Sequence, residues 1–230
     1  MNAVLYYSNA GECKRIAEYL ADKTGFALIE LNAADKLQYE LALLVFPVYC
    51  QNVPQAVKEF LRKLKTEYLA LIAMYGRASY GNVLNEIQHK YNHSIIAAAY
   101  VPTKHAYVDE ERFNEFDKLD PIADKLNDVR KHPTTVQIPK SSKNPFANFA
   151  PAWRSRQGVK IVRGEQCNGC GTCNSICPLN AVNCGKTNNK CIRCMKCVVN
   201  CPNKALTLKL SQAMRAYLNK RKRDELVIYI

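Results

Sequence analysis

The chain lacks the side-chain groupings that hydrolytic or acid–base catalysis needs. Its four histidines, His89, His93, His105 and His132, are scattered, and no Ser, His or carboxylate constellation gathers around them. No early segment combines a basic start, an apolar run and a small-residue cleavage site, and no apolar run reaches the roughly 18 residues that would suggest a membrane span. Both absences favour a cytoplasmic protein. Tryptophan occurs once, at Trp153 in a linker, where packing between domains is the expected role. Acidic residues are scarce in one region only. Residues 1–150 carry 18 basic and 17 acidic groups, whereas residues 151–230 carry 15 and 3, so the formal charge of +13 belongs to the C-terminal third. That imbalance favours an acidic partner, with a nucleic acid the weaker reading.

What the chain does have is enough apolar content, 48% of 230 residues, for one medium domain and a small one. Five apolar runs read as buried strands: residues 3–8, 27–31, 41–46, 68–74 and 94–101. Helical patterns separate most of them. Ile16, Ala17 and Leu20 share one face of the first; Val57, Phe60, Leu61 and Leu64, after Pro54, share a face of the second; Val83, Leu84, Ile87 and Tyr91 share a face of the third. A further helix is expected through residues 110–131, interrupted or restarted at Pro121. This alternation makes an α/β fold, a five-stranded parallel sheet in a flavodoxin-like order with ligands at the carboxyl ends of the strands. The first domain is placed at 1–131, followed by a Pro-, Ser- and Asn-rich linker at 132–159.

Eleven cysteines without an export signal point to metal ligation rather than disulfides. Eight of them form an internal repeat at an offset of 24. Cys167, Cys170, Cys173, Cys177 and Pro178 recur as Cys191, Cys194, Cys197, Cys201 and Pro202, and Ala181 recurs as Ala205. Three cysteines two residues apart supply three corners of an iron–sulfur cubane, and the fourth, before proline, reaches the other cluster. The expected sets are Cys167, Cys170, Cys173 and Cys201 for one 4Fe-4S cluster, with Cys177, Cys191, Cys194 and Cys197 for the other. Zinc sites, the alternative, use close pairs with a longer spacer and no Cys-Pro ending. Two clusters with their thiolates would lower the formal charge from +13 to about +9. Cys184, outside the repeat, reads as a small buried filler.

From Lys160 to Leu208 the sequence resembles the bacterial two-cluster ferredoxins, which implies a small α+β domain, placed at 160–208, that passes single electrons. Lys160, Arg163, Lys186, Lys190, Arg193, Lys196 and Lys204 surround the motifs and should raise the cluster potentials, within the limits of surface screening.

The stretch "YYSNAGECKRIAEYL" reads as a strand end, a loop and a helix start, a place for a phosphate. The first 130 residues resemble flavodoxins, whose first loop has the pattern Ser/Thr-x-Thr-Gly-x-Thr. Ser8 and Gly11 fit that pattern; Ala10 and Cys13 replace hydroxyls, each loss removing about 1.5–3 kcal/mol to a charged acceptor. Backbone N–H groups of Asn9, Ala10, Gly11, Glu12 and Cys13 can still face an anion. The resemblance implies FMN, with Pro47 to Pro54 and Tyr75 to Asn82 as the other two loops. Pro47 opens one; Gly76 and Gly81 let the other approach a ring. Tyr49 or Tyr75 is expected to stack on the isoalloxazine, with Arg77 compensating charge on the reduced flavin.

As a whole the chain resembles the flavodoxin–ferredoxin fusion proteins of anaerobes. The resemblance implies an electron-transfer protein linking two 4Fe-4S clusters and FMN. One alternative is an FMN/iron–sulfur oxidoreductase that reduces a small acceptor through the clusters. Another is a cluster protein whose first half has lost FMN and docks a partner. Residues 209–230 are read as a basic tail helix with Ala213, Met214, Tyr217 and Leu218 on one face and Lys220 to Arg223 at its end. "LVIYI" either adds a strand or packs between domains.

Overall fold

A computed structural model describes residues 1–108, 111–129, 133–220 and 223–230, which fall into two compact units. The first comprises residues 1–105, 110–144 and 223–230; the second comprises 106–109 and 145–222.

In the first unit the five apolar runs become strands β1 (Ala3–Tyr6), β2 (Ala27–Glu30), β3 (Gln38–Pro47), β4 (Lys65–Tyr75) and β5 (Ile95–Pro102). They pair in parallel in the order β2-β1-β3-β4-β5, the doubly wound flavodoxin-type arrangement. A sixth strand, β10 (Val227–Tyr229), pairs antiparallel with β5 through Val227 and Tyr100, Ile228 and Ala99, and Tyr229 and Ala98. "LVIYI" therefore extends the sheet. Successive strand residues face opposite sides, so Leu5, Leu44 and Leu71 enter one core and Val4, Leu43 and Ile72 the other.

Helix packing follows the same division. Helices α2 (Gln55–Lys63) and α3 (Val83–Lys90) bury Val57, Phe60, Leu61, Val83, Leu84 and Ile87 in the first core. Helix α1 (Glu12–Thr24) and α4 (Asp120–Asp128) bury Ile16, Ala17, Leu20, Ile122 and Leu126 in the second. The helix expected across residues 110–131 is shorter: a 3-10 turn at Phe116–Leu119 leads into α4, whose first turn holds Pro121. Proline is suited there because its missing N–H would have had no helical partner. His132 lies outside the described residues.

Half of the expected linker belongs to this unit. Val136 N–H donates to the Ile95 carbonyl at 2.8 Å, Gln88 bonds Val136 and Ile138, and Lys143 reaches Glu86 at 2.7 Å. Residues 133–144 thus run as a strap over α3.

The second unit opens with α5 (Pro151–Arg156), on which Trp153 is 54% exposed. Strand β6 (Val159–Arg163) pairs antiparallel with β9 (Leu206–Leu210). Between them lie α6 (Thr172–Ser175), the small hairpin of β7 (Val182–Asn183) and β8 (Lys186–Thr187), and α7 (Lys196–Val199). Its core is small: Val182, Leu206 and Cys197, with Ile161, Cys173, Cys177, Val198 and Cys201 against it. Helix α8 (Gln212–Lys220) buries Leu218 and half-buries Met214, while Ala213 and Tyr217 are exposed. The four-residue face expected there is therefore a two-residue contact.

Candidate iron–sulfur and flavin sites

Each cysteine repeat folds the same way. The chain leaves its first cysteine in a left-handed turn, with φ 76° at Gly169 and Gly171 and φ 57° and 66° at Arg193 and Met195, then enters the short helices α6 and α7. The fourth cysteine of each repeat accepts a backbone N–H four residues on: Ala181 to Cys177 Sγ at 3.2 Å and Ala205 to Cys201 Sγ at 3.3 Å. Both recurring alanines are 1% exposed and line the cavities beside these sulfurs.

The thiols ring two cavities. Cys167, Cys170, Cys173 and Cys201 line one, together with Thr172, Pro202 and Cys184. Cys177, Cys191, Cys194 and Cys197 line the other, together with Ile161, Pro178 and Lys196. Cys184, read from sequence as filler, is half-buried at the first cavity, its N–H held by Asn174 Oδ1 at 2.8 Å. Spacing could not reveal this because Cys184 has no counterpart in the second repeat.

The two sets differ in environment. Burial pushes the Cys194 thiol up to about 11 and the Cys197 thiol up to about 12. By contrast, the Thr172 hydroxyl, 3.3 Å from Cys170 Sγ, draws the Cys170 thiol below its ordinary value. Among the described residues no three His, Cys, Asp or Glu side chains converge on a position that a single ion would fill. Thiols spread around a cavity suit a multi-iron core, with its separated metal corners, more than a closed zinc site.

At the carboxyl edge of the parallel sheet, the loop Tyr7–Gly11 leads from β1 into α1, with Gly11 at φ 91° as the helix cap. Ser8 Oγ and Asn9 Oδ1 are buried with no hydrogen-bond partner, and open space lies where a Cβ on Gly11 would point. The orphaned Ser8 hydroxyl and the unpaired N–H groups of the first helical turn fit an anionic, hydrogen-bond-accepting ligand such as a phosphate, whereas the Asn9 amide oxygen, an acceptor, calls for a donor instead.

Glu12 complicates the fit. Its carboxylate is buried at the helix start, accepts from Thr103 Oγ1 and Arg15 Nη1 at 3.2 Å each, and lies 3.2 Å from Arg112 Nε. The two arginines, both more exposed than the carboxylate, offset its charge only in part. Cys13 turns its thiol into the second core, where burial drives its pKa far up, so only its backbone can face the loop.

Asn9 Nδ2 donates to Tyr49 Oη at 2.8 Å, joining the first loop to the second. Tyr49 is half-buried in a tight turn closed by paired N–H to carbonyl bonds with Asn52, just after Pro47 ends β3. The third loop abuts that turn: a Cβ on Gly81, at φ 63°, would sit 2.7 Å from Gln51 Cβ, so a glycine is required there. A Cβ on Gly76 would sit 2.8 Å from His105 Cδ2.

Tyr75 does not take the expected stacking role. It is 1% exposed, donates to the Glu225 carbonyl at 2.7 Å and accepts the Glu225 N–H at 3.1 Å. Its ring is committed to the core. Arg77 is likewise engaged, 2.9 Å from Asp224, while its carbonyl accepts the Arg223 N–H at 2.6 Å. Arg223 also lies over the Tyr80 ring at 4.4 Å, and Tyr80 stacks on Tyr100. Sequence reasoning missed this clasp because its partners are some 150 residues apart.

Comparison with known proteins places residues 186–207, the second cysteine motif, in the 4Fe-4S binding domain family. No curated protein matches the chain. Among solved structures, a flavodoxin from the domain Archaea matches at 16% identity and TM-score 0.46, covering 57% of this chain and all of that one. A WrbA-like flavodoxin from Agrobacterium tumefaciens matches at 15% identity and TM-score 0.40, covering 57% of this chain and 98% of that one. Rubredoxin oxygen:oxidoreductase from Desulfovibrio gigas matches at 14% identity and TM-score 0.44, covering 56% of this chain and 36% of that one. The chain thus carries an iron–sulfur segment of the 4Fe-4S type after an α/β unit of flavodoxin-type strand order. Among the described residues no helix is long and apolar enough to cross a membrane.

Proposed function

We propose that this protein is an electron-transfer protein holding two 4Fe-4S clusters and FMN, exchanging electrons with a redox protein partner in the cytoplasm. The observation that carries this reading is the division of eight repeat cysteines between two cavities, each lined by three thiols of one motif and the fourth of the other. Cys167, Cys170, Cys173 and Cys201 would hold one cluster; Cys177, Cys191, Cys194 and Cys197 the other. Such clusters supply one-electron transfer at low potential. The chain's own part is to keep the thiols in reach, donate Ala181 and Ala205 N–H groups to sulfur, and surround the second cavity with apolar side chains that exclude water.

In the first unit, Ser8 and the N–H groups of Asn9, Ala10, Gly11, Glu12 and Cys13 would bind the FMN phosphate, and Tyr49 is the aromatic left to cover the ring. Bound FMN would let the chain collect two electrons singly. Gly76 and Gly81 keep the third loop low, and Arg77 fixes its outer end to Asp224. The excess of basic groups in residues 151–230 supports an acidic partner surface.

A second reading keeps the clusters and gives the first unit a docking role without flavin. The buried Glu12 carboxylate favours it, because like charge at a helix start opposes a phosphate. Anaerobic reconstitution of the full chain with iron, sulfide and FMN separates the two. Roughly eight irons and one FMN per chain are expected from the first reading; eight irons with no FMN retained would leave only the second.

A further inference from the structure

The two ligand loops repeat in backbone and differ in charge. From Cys167 to Cys173 there is no charged residue, whereas Arg193 and Lys196 replace Gly169 and Thr172 between Cys191 and Cys197. The equivalent positions share a left-handed backbone, φ 76° at Gly169 and φ 57° at Arg193. An arginine in that conformation is strained where glycine is not, so some other interaction must hold it.

Arg193 is 8% exposed, with Nε donating to the Val159 carbonyl and Nη1 to the Thr187 hydroxyl, each at 3.2 Å. Both partners are neutral. The full positive charge therefore stands out of water, one residue before ligand Cys194, where salt screens it little. A 4Fe-4S cluster gains a negative charge on reduction, and a nearby cation favours that form. Burial of Cys191 and Cys197 acts in the opposite sense, since a dry site disfavours the more negative state. Lys196 lines the second cavity itself, whereas Arg193 stands behind its lining residues Ile192 and Cys194; Lys196 is only half-buried, so its charge is better solvated.

We propose that Arg193 sets the potential of the second cluster, holding it above the value its buried ligand loop alone would give. This rests on the two-cluster reading above. Arg193 acts through space and not as a ligand, so the potential distinguishes this role from a purely structural clasp between β6 and β8.

The test is a redox titration of the anaerobically reconstituted full chain, followed by electron paramagnetic resonance after iron has been counted. With about eight irons retained, R193Q should lower one of two midpoints and leave the other, while R193K should restore it. G169R places the cation in the first loop, at a glycine with no heavy atom within 4 Å of an added Cβ. It should raise the other midpoint, by less, because the side chain there meets solvent. Loaded R193Q with both midpoints unmoved, or both shifted alike, overturns the proposal. If R193Q loses iron, G169R decides, and no rise in either midpoint overturns it. A count of about four irons in the unaltered chain would instead overturn the two-cluster reading, a separate result.

Discussion

Ser8 and Tyr75 show how single residues at the sheet edge divide between binding and support. Ser8 Oγ is buried and unpaired, so the loop has an unmet demand that a phosphate oxygen would fill. Gly11→Val should weaken that binding about tenfold or more: a β-branched residue at φ 91° is strained by about 1–2 kcal/mol and distorts the loop. Flavin fluorescence titration reads the loss, and the iron content should be unchanged. Tyr75 serves the scaffold. Tyr75→Phe leaves both Glu225 backbone groups without their partner and should cost about 1–3 kcal/mol in urea unfolding. The phenol also ties stability to pH. Burial pushes Tyr75 up to about 12 and Tyr100 higher still, from an ordinary value of 10.0. The unfolded phenols therefore ionise first, so this stability is present below pH 10 and lost as the pH rises through 12. Melting temperature measured from pH 8 to 12 should fall over that window, and less steeply in Tyr75→Phe.

At the scale of elements, the strands were legible wherever burial on both faces leaves an unbroken apolar run, as in β1, β3, β4 and β5. The helices α1, α2 and α3 were legible for a different reason, one apolar face at helical spacing. Less was readable where an element depends on a distant partner. A three-residue strand such as β10 carries no period that says which sheet edge it joins, and the α8 face over-counted because Tyr217 is apolar yet exposed. In the candidate sites, the cysteine repeat was plain because ligand spacing is local. Cys184 beside the first cavity, the Glu12 network and the loss of Tyr75 to the core depend on contacts across 10 to 150 residues, which spacing does not encode. The crossing between motifs is directly testable. Cys201→Ala lies in the second motif but lines the first cavity. It should therefore drop iron from about eight to about four per chain while leaving the cluster held by Cys191, Cys194 and Cys197; loss of that one instead would show that the motifs do not cross.

On the scale of the molecule, the first unit is discontinuous: the chain leaves it after residue 144 and returns at Arg223. The returning segment supplies β10, the partner of Arg77 and both bonds to Tyr75. Removing residues 223–230 should therefore release FMN while the iron count stays, because the third loop loses its clasp and the thiol cavities lose nothing. Gel filtration of the same variant should show self-association, since the β5 edge is left unpaired. In the cell this arrangement sets an order of events in time. Residues 103–226, 124 in all, separate β5 from β10, so at about 5–20 residues per second the ribosome makes the last strand about 6–25 s after the strand it covers. Throughout that interval the nascent sheet has an open side, and the entire iron-binding segment emerges before it closes.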